Sequence, residues 1–162
     1  MKKPLKLLLY GLLAGAIVAA DQITKLVVLD KIPLASQVDA LPGLFHFTYV
    51  QNTGAAFSSF EGMRWLFVAV FAVLTLALAY EYFKKPMAFT GFERVCLAAV
   101  YGGALGNVID RVRLGYVVDM ICLDFMNFPV FNVADIFITV GCAMLFGHMI
   151  LFNKAFWKEE KK

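Results

Sequence analysis

Four long apolar runs constrain the fold of this sequence more than any other feature. We predict membrane-spanning helices at about residues 7–29, 65–83, 95–113 and 135–152. Each run is close to the roughly 20 residues that a helix needs to cross the hydrocarbon core of a bilayer. The chain of 162 residues is 61% hydrophobic and only 17% charged, which leaves too little polar surface for a water-soluble globule. The sequence therefore predicts a mainly α membrane protein, a four-helix bundle forming a single domain over residues 1–162.

The first apolar run has a second interpretation. A basic start, an apolar core and the small residues 18–20 resemble a secretory signal peptide with its cleavage site. The apolar pattern resumes after Lys25, however, and continues to Leu29, so the run is long enough to span a bilayer. We therefore expect an uncleaved first helix.

Residues 30–63 differ from the apolar runs in composition, with prolines and glycines throughout and no sustained helical period. Residues 44–50 are rich in β-branched and aromatic side chains and predict a short strand, with residues 57–60 as its candidate partner. We expect this region to form a small β-rich cradle on the outer membrane surface.

Basic residues are distributed unevenly between the two sides of a four-helix arrangement. Ten lie on the side of the termini and of the 84–94 connection, and five lie on the other side. Since positive charge is enriched in cytoplasmic segments, both termini should be cytoplasmic. Residues 30–63 and 115–135 should then face outward together.

Two aspartates, Asp119 and Asp135, stand at the ends of the segment between the third and fourth runs. Because that segment starts and finishes on one side of the bilayer, we expect both carboxyls near one membrane face, on helix ends or in the joining loop. Ionisable groups at this depth are costly and indicate a functional site. Two adjacent carboxylates tend to share a proton, as in aspartic peptidases. Alternatively, the two residues cap helices or neutralise Arg111 and Arg113.

Three further polar residues should lie near the same face. Asn107, Arg111 and Asn132 offer hydrogen-bond donors that could hold the backbone carbonyls of an extended peptide. Asn132 is equally suited to be the N-cap of the fourth helix. Asp110 we interpret as a terminal ion pair with Arg111.

Asp21 and Lys25 are spaced i,i+4 and share one face of the first helix. They form either a helix-end ion pair, with Lys25 extending to the lipid headgroups, or a support for the site. Asp124 we interpret as a solvated loop charge. The three cysteines show no disulfide or metal-binding spacing, so we expect neither.

At these positions the sequence resembles the bacterial lipoprotein signal peptidases, also called signal peptidase II. Five blocks carry the resemblance, in order and with matching spacing: Asp21-Gln22-x-x-Lys25, Asn52-x-Gly54-Ala55-Ala56-Phe57, Gly102-Gly103-Ala104-x-Gly106-Asn107-x-x-Asp110-Arg111, Val117-Val118-Asp119 and Phe131-Asn132-x-Ala134-Asp135.

The resemblance implies an aspartic endopeptidase, multi-pass in the bacterial inner membrane, with its active site at the outer face. Such an enzyme removes signal peptides from prolipoproteins, cutting before a diacylglyceryl-modified cysteine. It also implies that Asp119 and Asp135 are catalytic and that Asp21 and Lys25 support the site. The residues matching substrate-binding positions are Asn52, Gly54, Asn107, Arg111, Asn132 and Ala134.

The resemblance further implies partners and their absence. We expect prolipoproteins, membrane lipid and globomycin-type peptide inhibitors as partners, and no nucleic acid, metal or cofactor. We also expect a monomer. Two other classes stay open from the residues alone: a transporter or channel component that relays protons through Asp21, Asp119 and Asp135, and a non-catalytic assembly factor that binds lipoproteins.

Overall fold

A computed structural model describes residues 3–54, 61–84 and 89–153 of the protein. In chain order the elements are α1 (Lys3–Lys31), β1 (Gln37–Leu41), β2 (Phe45–Asn52), α2 (Arg64–Phe83), α3 (Gly91–Arg113), β3 (Val117–Leu123) and α4 (Val133–Leu151). All four helices are long and apolar enough to cross a membrane. The predicted fold class, a four-helix membrane bundle with a small β-region, is confirmed.

Helix α3 is the centre of the bundle and packs against α4, α1 and α2. Glycines on α3 permit the close approach of its neighbours. A Cβ at Gly102 would lie 2.9 Å from the carbonyl oxygen of Ala14 on α1, and one at Gly103 would lie 2.5 Å from that of Ala134 on α4. Small residues at such crossings let helix backbones meet, which is how helices associate in lipid.

The remaining helix surface is apolar and outward-facing. On α2, Val73 and Leu76 are 66% and 70% exposed, as expected for side chains that meet lipid.

Helices α3 and α4 each begin with a capping box, in which a cap side chain and the third helical residue bond each other's backbone. Thr90 and Glu93 form the box of α3, and Asn132 and Asp135 form the box of α4.

The three strands form one antiparallel sheet in the order β1-β2-β3. Strand β3 corrects our expectation for residues 115–135, because Asp119 lies within a strand and not on a helix end or loop. Asp119 pairs with Val50 of β2. The candidate partner strand at residues 57–60 lies outside the described residues.

One face of the sheet packs on the last turns of α1. Tyr49, Val118 and Met120 form a buried cluster with Val28 of that helix and with Ile32, which directly follows it. Alternation along β3 turns Asp119 to the opposite face. Beyond β3 the chain folds back, and its backbone pairs with Ile121 at Phe131, directly before α4.

Candidate active site

A cavity of about 720 Å³ opens where the sheet meets the helices. Its walls come from α2, α3, α4, the sheet and residues 128–131, and most of the side chains are apolar. The polar lining residues are Asn52, Asn107, Arg111, Asp119, Asp135 and Thr139. Both predicted carboxyls therefore line the same open cavity.

Asp119 is only 2% exposed. Asn52 Nδ2 donates a hydrogen bond to its Oδ2 at 2.8 Å, and Asn132 Nδ2 donates to its Oδ1 at 2.7 Å. Burial raises the pKa of the Asp119 carboxyl from 3.8 to about 6. The bond from Asn52 lowers the pKa and the nearby charge of Asp135 raises it, but desolvation of the carboxylate is the largest effect. This carboxyl can thus exchange a proton close to neutral pH.

Asp135 is the third residue of α4. Its Oδ2 accepts the backbone N–H of Asn132 at 3.1 Å, and its own N–H donates to Asn132 Oδ1 at 3.0 Å. Its Oδ1 accepts from Asn107 Nδ2 at 2.8 Å. The capping interpretation of Asn132 and Asp135 is therefore correct, and it is compatible with a role in the site because Asn132 also bonds Asp119.

The orientation of the Asn107 amide follows from its neighbours. Its Oδ1 accepts from Lys25 Nζ at 2.9 Å and from Asn132 Nδ2 at 3.1 Å. Since two donors occupy the oxygen, the Nδ2 group must face Asp135. Asn132 and Asn107 thus link the two carboxylates through a fixed set of hydrogen bonds.

Lys25 lies behind the cavity and is 2% exposed, so its predicted extension to the headgroups is wrong. Its Nζ lies 2.9 Å from Asp21 Oδ2 and 2.9 Å from Asp110 Oδ2, in addition to Asn107. Asp21 Oδ1 accepts the backbone N–H of Ala134 at 3.0 Å. A buried ammonium needs such partners, and here they tie α1 to α3 and α4.

Asp110 corrects a second expectation, because it pairs with Lys25 and not with Arg111. Its Oδ2 also accepts the backbone N–H of Val118 at 3.1 Å, which joins the end of α3 to β3. Gln22 Nε2 donates to the other oxygen at 3.0 Å. Sequence reasoning missed this junction; the only signal was that Asp110 lies one helical turn beyond Asn107.

Arg111 projects into the cavity from α3. Its Nη2 donates to the carbonyl oxygen of Gly54 at 2.8 Å, and its guanidinium lies 4.2 Å from the ring centre of Phe67. The Gly54 N–H in turn donates to Asn52 Oδ1 at 2.9 Å, which directs the Asn52 amide towards Asp119. Residues 55–57 of this motif lie outside the described residues.

Asp124 is not simply a solvated charge. His46 Nδ1 lies 2.6 Å from its Oδ1, which links β2 to the segment that follows β3. Sequence reasoning also missed the apolar cavity lining, including Phe67, Val70 and Phe128. Apolar residues that face lipid and apolar residues that face a cavity follow the same pattern, so no signal separated them.

Among the described residues, no group of three or more His, Cys, Asp or Glu side chains could hold a metal ion. Cys96, Cys122 and Cys142 are free thiols.

The fold and the cavity define a multi-pass membrane protein that holds two carboxyls at one end of its helical bundle. The model of the family described as signal peptidase (SPase) II matches residues 13–151. A lipoprotein signal peptidase of Symbiobacterium thermophilum is 43% identical over 144 residues, 88% of this chain and 94% of the relative. One of Enterococcus faecalis is 40% identical over 152 residues, 92% of each chain.

The fold of this chain is also similar to that of solved structures. A bacterial membrane enzyme determined by the in meso method at 1.9 Å resolution matches with a TM-score of 0.77 and 30% identity, over 87% of this chain and 92% of that one. The chain belongs to the signal peptidase II family, which confirms the resemblance. The relay and assembly-factor alternatives are thereby set aside in favour of a peptidase.

Proposed function

We propose that Asp119 and Asp135 are the catalytic pair of an aspartic endopeptidase that removes signal peptides from prolipoproteins. The observation that carries the proposal is that both carboxylates line one cavity, where Asn132 Nδ2 donates to Asp119 and Asn107 Nδ2 donates to Asp135. The pair would cut before a diacylglyceryl-modified cysteine, the substrate class that the resemblance implies.

The chemistry needs one ionised and one protonated carboxyl. The ionised group takes a proton from water, and the water oxygen attacks the scissile carbonyl, whose oxygen accepts a hydrogen bond from the protonated group. The roles then reverse, and a proton passes to the departing amine. The raised pKa of Asp119 supports this assignment, because a carboxyl titrating near 6 can both take and return a proton at neutral pH.

The other predicted residues have distinct parts in the proposal. Arg111 and Asn52 line the cavity and would hold the substrate peptide in an extended form, with Gly54 positioned by both. Asn107 and Asn132 orient the carboxylates. Ala134, through its backbone N–H to Asp21, fixes the start of α4, and Lys25 and Asp21 support the site from behind.

The apolar walls suit a substrate that is anchored in lipid. An acyl-modified cysteine holds its cleavage site at the membrane surface, and the cavity lies where the helices end. We propose that this end lies at the outer face of the bacterial inner membrane, with both termini cytoplasmic, because ten of the fifteen basic residues belong to the terminal segments and the 84–94 connection of the sequence. Globomycin-type peptides would compete for the same cavity.

The test is cleavage of a diacylglyceryl-modified precursor by purified protein, with and without globomycin. Asp119→Asn and Asp135→Asn should each abolish cleavage while the protein stays folded and inserted. Asp39→Asn, at an exposed position of β1, is the matched control and should cleave normally. Cleavage near the wild-type rate in either cavity variant would rule out the aspartic pair.

A further inference from the structure

Five large apolar side chains are exposed at one end of the sheet. We call them the tip patch: Leu41, Leu44, Phe125, Met126 and Phe128. Phe125 is 60% exposed and the others are about half exposed, from 46% to 53%. Soluble surfaces rarely group so many large apolar residues unless they meet a partner.

Backbone contacts hold the two halves of the tip patch together. Leu41 and Leu44 flank a tight turn in which the Leu44 N–H donates to the Leu41 carbonyl oxygen at 2.9 Å. The Asp124 N–H donates to the Leu44 carbonyl oxygen at 3.0 Å, which places the start of the 125–128 segment beside that turn. Gly43 adopts a φ of 77°, the left-handed conformation that a turn of this kind requires.

The tip patch is also uncharged. Neither residues 41–44 nor residues 125–132 contain an ionisable side chain. The nearest acid along the second segment, Asp124, is bonded to His46. An uncharged apolar edge with polar groups behind it is amphipathic, and amphipathic elements bury their apolar side in the interfacial region of a bilayer.

The patch is continuous with the exposed apolar surface at the start of α4. Phe128 lines the cavity together with Ile136 and Val140, which are the fourth and eighth residues of α4. Ile136 and Val140 are themselves 41% and 49% exposed. The segment therefore lies at the level of the helix start and not far above it.

From these observations we infer that the tip patch inserts into the leaflet next to the sheet, so that the bilayer contacts the sheet as well as the helices. The partner is the lipid interface itself. Insertion beside Phe128 holds the rim of the cavity at a fixed depth in the leaflet. This inference concerns lipid contact alone and does not depend on the catalytic assignment.

The collision rates of a nitroxide label attached within the tip patch test this insertion directly. We would introduce Met126→Cys into the full chain carrying Cys96→Ala, Cys122→Ala and Cys142→Ala, and reconstitute it in vesicles of phosphatidylethanolamine and phosphatidylglycerol. Val73→Cys on α2 serves as the lipid-facing reference, and Gln37→Cys, exposed at the far end of β1, serves as the aqueous reference.

The ratio of oxygen to nickel-chelate collisions at position 126 should approach that at position 73 and exceed that at position 37 several-fold. A ratio equal to that at position 37 would overturn the inference. Low rates for both reagents would also overturn it, since they indicate contact with protein, such as a second copy of the chain.

A second measurement avoids replacing the native cysteines. Phe125→Trp, in the otherwise unchanged chain, should gain fluorescence that brominated lipid quenches, whereas the added fluorescence of Gln37→Trp should resist quenching. Equal quenching of the two added tryptophans contradicts insertion of the tip patch.

Discussion

Replacing Asp119 by asparagine should change how the stability of this protein depends on pH. The folded state raises the pKa of Asp119 from 3.8 to about 6, so between these values it binds a proton that the unfolded chain releases. Stability is therefore lost as the pH rises through this interval, and none of this loss occurs below it. Asp119→Asn cannot ionise and should escape the loss.

The size of this pH-dependent loss of stability follows from the difference between the folded and unfolded pKa values of Asp119. A change from 3.8 to about 6 corresponds to about 3 kcal/mol, at about 1.4 kcal/mol per pKa unit. The new amide also places an N–H against the N–H donors of Asn52 or Asn132, which costs about 1–3 kcal/mol. That cost is the same at every pH, so it cancels when the variant is compared with the wild type across the range.

The assay is thermal unfolding in detergent from pH 3 to pH 8, a range that covers the whole interval between the two pKa values. The midpoint of Asp119→Asn minus that of the wild type should rise with pH by about 6–12 °C, since 1 kcal/mol moves the midpoint of a domain this size by about 2–4 °C. Asp39→Asn, the exposed control, should show no such trend. A constant difference across the range would refute the reasoning, because Asp119 would then titrate as an ordinary carboxyl.

Three further outcomes are expected. Lys25→Met leaves Asp21 and Asp110 buried without their cation, so it should lower the free energy of unfolding by about 3–5 kcal/mol in chemical denaturation; a loss under 1 kcal/mol would contradict the buried network. Gly103→Ala places a Cβ against the backbone of α4 and should cost about 1–3 kcal/mol, whereas Gly11→Ala, where nothing lies within 4 Å, should be neutral or slightly stabilising. In intact cells a membrane-impermeant thiol reagent should label Lys31→Cys and not Lys84→Cys; the reverse pattern would invert the proposed orientation.

The helices could be predicted because their cause is local. A run of about 20 apolar residues has few alternatives in a bilayer, where each backbone polar group needs a partner within the segment. Gly102 and Gly103 stand at helical spacing from Gly106 in the sequence, although only the structure shows which helix each of the first two meets.

Strand β3 could not be predicted because it depends on pairing with a strand that is distant in the sequence. Its pairing partner, β2, lies more than 60 residues earlier, and a short apolar run does not by itself distinguish strand from helix. The buried Asp119 in its middle also interrupts the apolar pattern. A carboxylate there is tolerated because Asn52 and Asn132 satisfy both oxygens.

For the candidate site, residue types were predictable and partners were not. Lys25 and Asp21 share a helix face, so their pairing followed from spacing. The bonds of Lys25 to Asp110 and Asn107 join residues more than 80 positions apart. They depend on how closely α1 approaches α3, which no periodicity in either helix specifies.

The most direct test of the central claim is a double-mutant cycle on the cleavage rate of lipidated precursor. The cycle compares the wild type, Asp119→Asn, Asp135→Asn and the variant carrying both changes, with thermal midpoints verifying that each is folded. Two carboxyls that share one proton act as a unit, so each single change should remove about as much activity as both together. Independent, additive losses, or appreciable cleavage by either single variant, would contradict the account.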